Sequence, residues 1–155
     1  MKKLFLLMLT ASMLVTLVAC GTKYEDTNGD SVFTLQTITD KNIIELDVGS
    51  SGLSYSEESV GDVVFSSKYS SSDFNGVAEL YQTNFITSSD VSVYIGSVNV
   101  RDGNFKLVAV NDDEIIHEFA LDTFNETLIF EDLTGSFSIR VAGESASFEF
   151  DISVD

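Results

Sequence analysis

"SASFEFDISVD", residues 145–155, sets apolar and polar side chains in strict alternation. Ala146, Phe148, Phe150, Ile152 and Val154 share one side, and Ser147, Glu149, Asp151, Ser153 and Asp155 share the other. Successive side chains of a β-strand point to opposite faces, so a period of two is the pattern of a half-buried strand. This stretch fixes the fold class, and its neighbours extend it.

Upstream, "GSFSIRVAG" (135–143) repeats the pattern with Phe137, Ile139 and Val141 inward. "NFKLVAV" (104–110) places Phe105, Leu107 and Ala109 on one face, while Val108 and Val110 make the other apolar too. Both sides of that strand must be covered, which predicts a central position. In "EIIHEFAL" (114–121), Ile115, His117, Phe119 and Leu121 share parity on the expected inward face. Asp102-Gly103 is a favoured two-residue hairpin signal, Asn111-Asp112-Asp113 breaks the chain, and Ala142-Gly143-Glu144 is expected to turn it into the last strand.

Earlier strands are expected at 32–39, 43–48, 62–69, 77–86 and 91–100, with a bulge near Gly96 where the apolar parity changes. The serine-rich stretches 49–59 and 66–72 read as loops or strand ends, and no helix-period segment of any length appears. About ten short strands separated by turns predict an all-β chain, an antiparallel β-sandwich (jelly-roll or immunoglobulin-like) of about 8–10 strands.

The N-terminus is of another kind. Lys2 and Lys3 precede a run, Leu4 to Val18, that carries no charge and is interrupted only by Thr10, Ser12 and Thr16. Fifteen residues of helix rise roughly 22 Å, short of the ~30 Å hydrocarbon core of a bilayer. A positive start, a short apolar stretch and small residues before a cut describe a secretory signal. The run ends in Leu17-Val18-Ala19, followed by Cys20, the single cysteine, and Gly21. These residues resemble the lipobox of bacterial lipoproteins. The resemblance implies a signal peptide over 1–19, diacylglycerol on the Cys20 sulfur, and residence on the extracytoplasmic face of the cell membrane. "CGTKYEDTNGDS" (20–31) is polar and short and reads as a tether, which leaves 32–155 as the β-sandwich domain.

Formal charge is −17, and becomes −19 without Lys2 and Lys3. Such a chain repels nucleic acid and anionic lipid headgroups, so the expected partners are the membrane, through lipidated Cys20, and an envelope protein or polymer. "FSSKYSSSDFNG" (65–76), "VRDGNFKLVAVNDDEIIHEF" (100–119) and "GSFSIRVAGESASFEFDI" (135–152) together resemble the β-sandwich domain of small lipoproteins from Gram-positive bacteria. That resemblance spans roughly residues 62 to 155. It implies the fold and carries no functional residues.

No stretch of the sequence names a reaction. His117 is the only histidine, and no GxSxG elbow presents a serine to it. One histidine and one cysteine cannot build a zinc site of nitrogen and sulfur ligands. Carboxylates paired about 5 Å or about 6.5–9.5 Å apart serve glycoside hydrolysis, but a chain with 25 acidic residues offers such pairs by chance. In "DTNGDS" (26–31), Asp26, Asn28 and Asp30 alternate as the first ligands of a calcium loop do. Ser31 stands in place of the required glycine and Thr37 in place of the bidentate acid, so weak calcium binding and a plain Asn-Gly turn explain the same residues. With no tryptophan, an aromatic ligand platform falls to tyrosine, and Tyr69 and Tyr94 are the candidates expected to face outward. The reading is a lipid-anchored protein with a non-enzymatic binding or structural role and no cofactor. A carbohydrate- or peptide-binding module is the alternative, with a hydrolase third.

Overall fold

The computed structural model describes residues 24–25, 31–32, 35–57, 65–96, 98–121 and 126–155. Two short strands, β1 (Tyr24–Glu25) and β2 (Ser31–Val32), pair with each other. Helix α1 (Asp40–Glu45) precedes β3 (Ser54–Glu57), β4 (Phe65–Ile95), β5 (Asn99–Asn111), β6 (Glu114–Glu118) and β7 (Glu126–Val154). The sheet order is β3-β4-β7-β5-β6, all antiparallel.

β4 and β7 run for 31 and 29 residues and pair almost end to end, from Phe65↔Val154 to Ile95↔Glu126. This ribbon is rolled. Tyr69 Oη donates to the Leu80 carbonyl at 3.2 Å, whereas eleven residues of straight strand would separate them by about 36 Å. The rings of Phe65 and Tyr81 lie 5.4 Å apart for the same reason. Val93 pairs with Leu128 on one side and with Val154 on the other, which closes the roll.

Two layers result. One contains β3, the start of β4, the end of β7, the end of β4 and the start of β7, side by side. The other contains the middle of β4, the middle of β7, β5 and β6. Side chains from both layers form one core, including Tyr69, Val93, Phe148 and Phe150 from the first and Leu107, Phe137, Ile139 and Val141 from the second. This is an antiparallel β-sandwich of the rolled-ribbon, jelly-roll kind.

The alternating pattern of 137–141 and 146–154 lies inward as the sequence predicts. Strand continuity differs. Asp102-Gly103 makes no hairpin: β5 passes through it with register shifts on both sides of Asp102. Gly103 has φ +76, and a Cβ there would lie 2.1 Å from the Ser145 carbonyl oxygen. Ala142-Gly143-Glu144 likewise makes no turn but continues β7. Gly143 admits the Phe74 ring, which a Cβ would meet at 2.5 Å. These glycines let the ribbon cross between layers without ending its strands. Ser66–Ser71 is strand as well, not loop.

Among the described residues, 35–39 and 43–48 are not the expected strands but parts of a strap. Residues 35–39 are irregular, and Thr39 caps α1. Thr39 Oγ1 accepts from Asn42 N, while Asn42 Oδ1 accepts from Thr39 N at 2.8 Å, a reciprocal capping box. Ile43, fully buried, then seats on the outside of the second layer against Val77, Val108, Val110 and Ala142. The second apolar face of "NFKLVAV" is therefore covered by this strap.

Candidate functional site

A group of polar side chains converges on the strap and holds it. Glu144, at the corner of β7, accepts from the backbone N–H of Gln36 (2.7 Å), Thr37 (2.6 Å) and Ile38 (3.0 Å), from Thr37 Oγ1 (2.7 Å) and from Asn104 Nδ2 (3.1 Å). Burial raises its carboxyl pKa, but these donors prevail and lower it from 4.5 to about 2. Arg140, only 6% exposed, donates to the carbonyls of Ile43 and Ile44 at the end of α1 and to Glu79 Oε2 (3.2 Å). It thus satisfies carbonyls that a helix end leaves without partners. Lys106 bonds Asp40 (2.8 Å) and Glu118 (3.0 Å). Burial lowers its pKa, and the two carboxylates outweigh that and raise it.

A cleft of about 330 Å³ lies beside Glu144, between the strap (Thr37, Ile38, Val48 to Ser51) and the corner at Asn75, Gly76 and Gly143. The polar atoms of its charged and amide side chains are already engaged. Glu144 holds the strap, and Asn75 donates to Asp73 Oδ1 and accepts from Ser145 N. The cleft fixes the strap and converges no group on an empty centre.

His117 is half-buried, with ring centroids 4.9 Å from Phe119 and 6.0 Å from Phe130. Its parity with Ile115 is broken by a register shift between Ala109 and Val110. Ile115 therefore faces the strap, while Phe119 and Leu121 face the core. The Asn111-Asp112-Asp113 break is the β5–β6 turn, and its side chains tie it to β7. Asn111 Nδ2 donates to the Thr134 and Ser136 carbonyls, and Asp112 Oδ1 accepts from Ser136 N. Cys20, Asp26, Asn28 and Asp30 lie outside the described residues.

The two tyrosine candidates separate. Tyr69 is not outward: it is 5% exposed, and its ring stacks on Phe150 at 5.5 Å. Its cross-strand partner Phe150 belongs to the core face, and that pairing overrides the serines around it in sequence. Tyr94 lies between the core residues Val93 and Ile95 and so faces out.

Tyr94 stands on the outer face of the first layer, in a row Ser66, Ser153, Tyr94, Thr127 across four neighbouring segments. The next row carries Ser56, Lys68 and Asp151, beside Gly96, whose N–H donates to the Asp151 carbonyl at 2.8 Å. Glu149 in the following row pairs with both Lys68 and Arg101. The Lys68 hydrogen bond, with Arg101 adding to it, holds its carboxyl below the usual range. Sequence parity marks Glu149, Asp151 and Ser153 as outward. The convergence of Tyr94 on them needs the roll, which no local pattern announces.

No protein-family model matches the chain, and no curated protein matches it in sequence. Among solved structures it is similar to a cupin superfamily protein from Desulfitobacterium hafniense DCB-2, with 16% identity, a TM-score of 0.33, and coverage of 65% of this chain and 75% of that one. The chain itself is an all-β antiparallel sandwich with a strap over one layer and a serine-rich polar face on the other.

Proposed function

We propose that the protein is a lipid-anchored, extracytoplasmic lipoprotein with a non-enzymatic binding or structural role in the cell envelope. The observation that carries this reading is Leu17-Val18-Ala19-Cys20 at the end of an uncharged apolar run behind Lys2-Lys3. A diacylglycerol on Cys20 brings two chains, which satisfies the requirement for lasting attachment where one chain binds only marginally. A binding or scaffolding role is supported by Glu144, Arg140 and Lys106, charged groups of the described residues that are committed to holding the strap.

Metabolic labelling with an alkyne palmitate analogue tests the anchor. The unsubstituted chain should take up label and Cys20→Ser should take up none, since no other sulfur nucleophile of that kind exists in the chain. Equal labelling of both chains would remove the lipoprotein reading.

A further inference from the structure

We infer that Asn75-Gly76 is a modification site, a pair that deamidates without an enzyme when the strap opens and is held unreactive while the strap is closed. Its product makes the opening permanent.

The chemistry needs an asparagine followed by an unshielded backbone nitrogen, and glycine leaves its nitrogen open because it has no Cβ. The chain has two such pairs, Asn28-Gly29 and Asn75-Gly76. The Gly76 nitrogen attacks Asn75 Cγ and forms a bond to it. The Cγ–Nδ2 bond breaks, and Nδ2 leaves as ammonia with the proton from Gly76. Water then opens the five-membered imide at either carbonyl, giving aspartate or isoaspartate. The fold requires both residues. Gly76 has φ +107, and a Cβ there would lie 1.9 Å from the Gly49 carbonyl oxygen. Asn75, exposed, must donate to one neighbour and accept from another, which an ionised aspartate cannot do.

The closed strap blocks the first step. Ring closure requires the Asn75 side chain to turn and the backbone between Asn75 and Gly76 to rotate. The side chain is fixed at both ends: Oδ1 accepts from Ser145 N at 2.8 Å, and Nδ2 donates to Asp73 Oδ1 at 3.1 Å. The backbone is fixed too, because Asn75 and Ser51 exchange both N–H···O bonds, at 2.9 and 3.2 Å. Residues 49–51 continue the strap, which Glu144 clamps at 36–38 and Ile43 seats on the sheet. Between residues 35 and 51 the Ser51 bridge is the one backbone pairing with the sheet among the described residues. The strap is thereby built to open locally, at less cost than unfolding the sandwich. After reaction it cannot close as before. An aspartate at 75 has no N–H for Asp73 and sets a like charge against it, and an isoaspartate adds a carbon to the backbone inside the Ser51 bridge.

The test is peptide mapping by mass spectrometry of the purified full chain, aged in mildly alkaline buffer with a polyoxyethylene detergent. Conversion of Asn75 to aspartate and isoaspartate is followed in the parent, in the parent held in urea, and in two variants. In urea Asn75 should convert readily, and in the folded parent at least about tenfold more slowly. Glu144→Gln, which weakens the clamp, should speed conversion severalfold in buffer. Ile43→Ala, which loosens the seat and leaves Glu144 in place, should do the same and serves where Glu144→Gln does not fold. Asn28, in the same chain, is the internal clock and should keep one rate in the parent and both variants. Hydrogen exchange at the Ser51 amide should be severalfold faster in Asn75→Asp than in the parent. No conversion in urea, equal rates in urea and in the folded parent, or a rate in buffer indifferent to both Glu144→Gln and Ile43→Ala would each overturn the assignment. Unchanged exchange at Ser51 in Asn75→Asp would overturn the permanence of the opening.

Discussion

Phe150→Ala is expected to cost about 3–5 kcal/mol of unfolding free energy, a large share of the roughly 5–15 kcal/mol that holds a domain folded. Phe150 is 0% exposed, and its ring meets Tyr69 at 5.5 Å, Phe148 at 5.6 Å and Phe105 at 6.0 Å. Phe105, on β5, reaches Phe150 across the core, so the cavity would open between elements that are hydrogen-bonded in place and cannot collapse onto it. Ile86→Ala supplies the comparison. Ile86 is 100% exposed, and its loss should change stability by no more than about 0.5 kcal/mol. Urea melts of the two variants decide the matter, and equal losses would refute the core assignment of the last strand.

The second large effect is at the strap. Glu144→Gln should destabilise the chain at pH 7 by about 2–3 kcal/mol, after discount for the partial exposure of the clamp. The amide keeps one acceptor oxygen and turns an N–H₂ toward donors that had faced a carboxylate. The effect depends on pH in a defined direction. Glu144 has its carboxyl pKa lowered from 4.5 to about 2 by the strap's N–H groups, against the opposing pull of burial. The folded chain therefore resists protonation there, and the clamp contributes fully above pH 4.5 and loses its contribution as pH falls through 2. The stability gap between the parent and Glu144→Gln should narrow steadily over that window. A gap of constant size from pH 7 to pH 2 would mean that the carboxylate charge is not what holds residues 36–38.

Local pattern carried the strands and failed at their ends. The inward sets Phe137, Ile139, Val141 and Phe148, Phe150, Ile152 are legible because burial on one face imposes a period of two that nothing else imitates. The two-faced run at Val108 and Val110 even announced a second covering layer. Leu35 to Val48 was the remaining apolar segment able to supply it, which is the signal that would have found the strap. Asp102-Gly103 misled for a physical reason. A two-residue hairpin and a bulge both need a residue at positive φ, and Gly103 at +76 serves either. Only its partner strand, 40 residues further on, decides between them.

Helix α1 was hidden because it ends on Leu46 at φ +52, where glycine is usual, because Arg140, nearly a hundred residues away, satisfies its last carbonyls, and because its start uses Asn42 where a capping box more often has Glu or Gln. Arg140 itself reads as an outward strand residue until the strap lies over it. Of the candidate site, sequence parity placed Asp151 and Ser153 outward. Tyr94 joins them only because β4 returns to the far side of the same strand end.

That strand end has a bearing on when the molecule can form. Residues 151–155 are the middle of the first layer, bonded to Phe65–Lys68 on one side and to Ser92–Gly96 on the other. A chain that emerges N-terminus first, from a ribosome or through a membrane pore, presents both flanking segments long before the piece that joins them. Until residue 155 is out, Phe65 and Val93 have no common neighbour, and the apolar sides of both layers lack the ring of Phe150. Pairings this distant in sequence form late and slowly. Closure of the first layer therefore waits for residues 151–155, and the segments on either side of them stay unjoined until those residues have emerged.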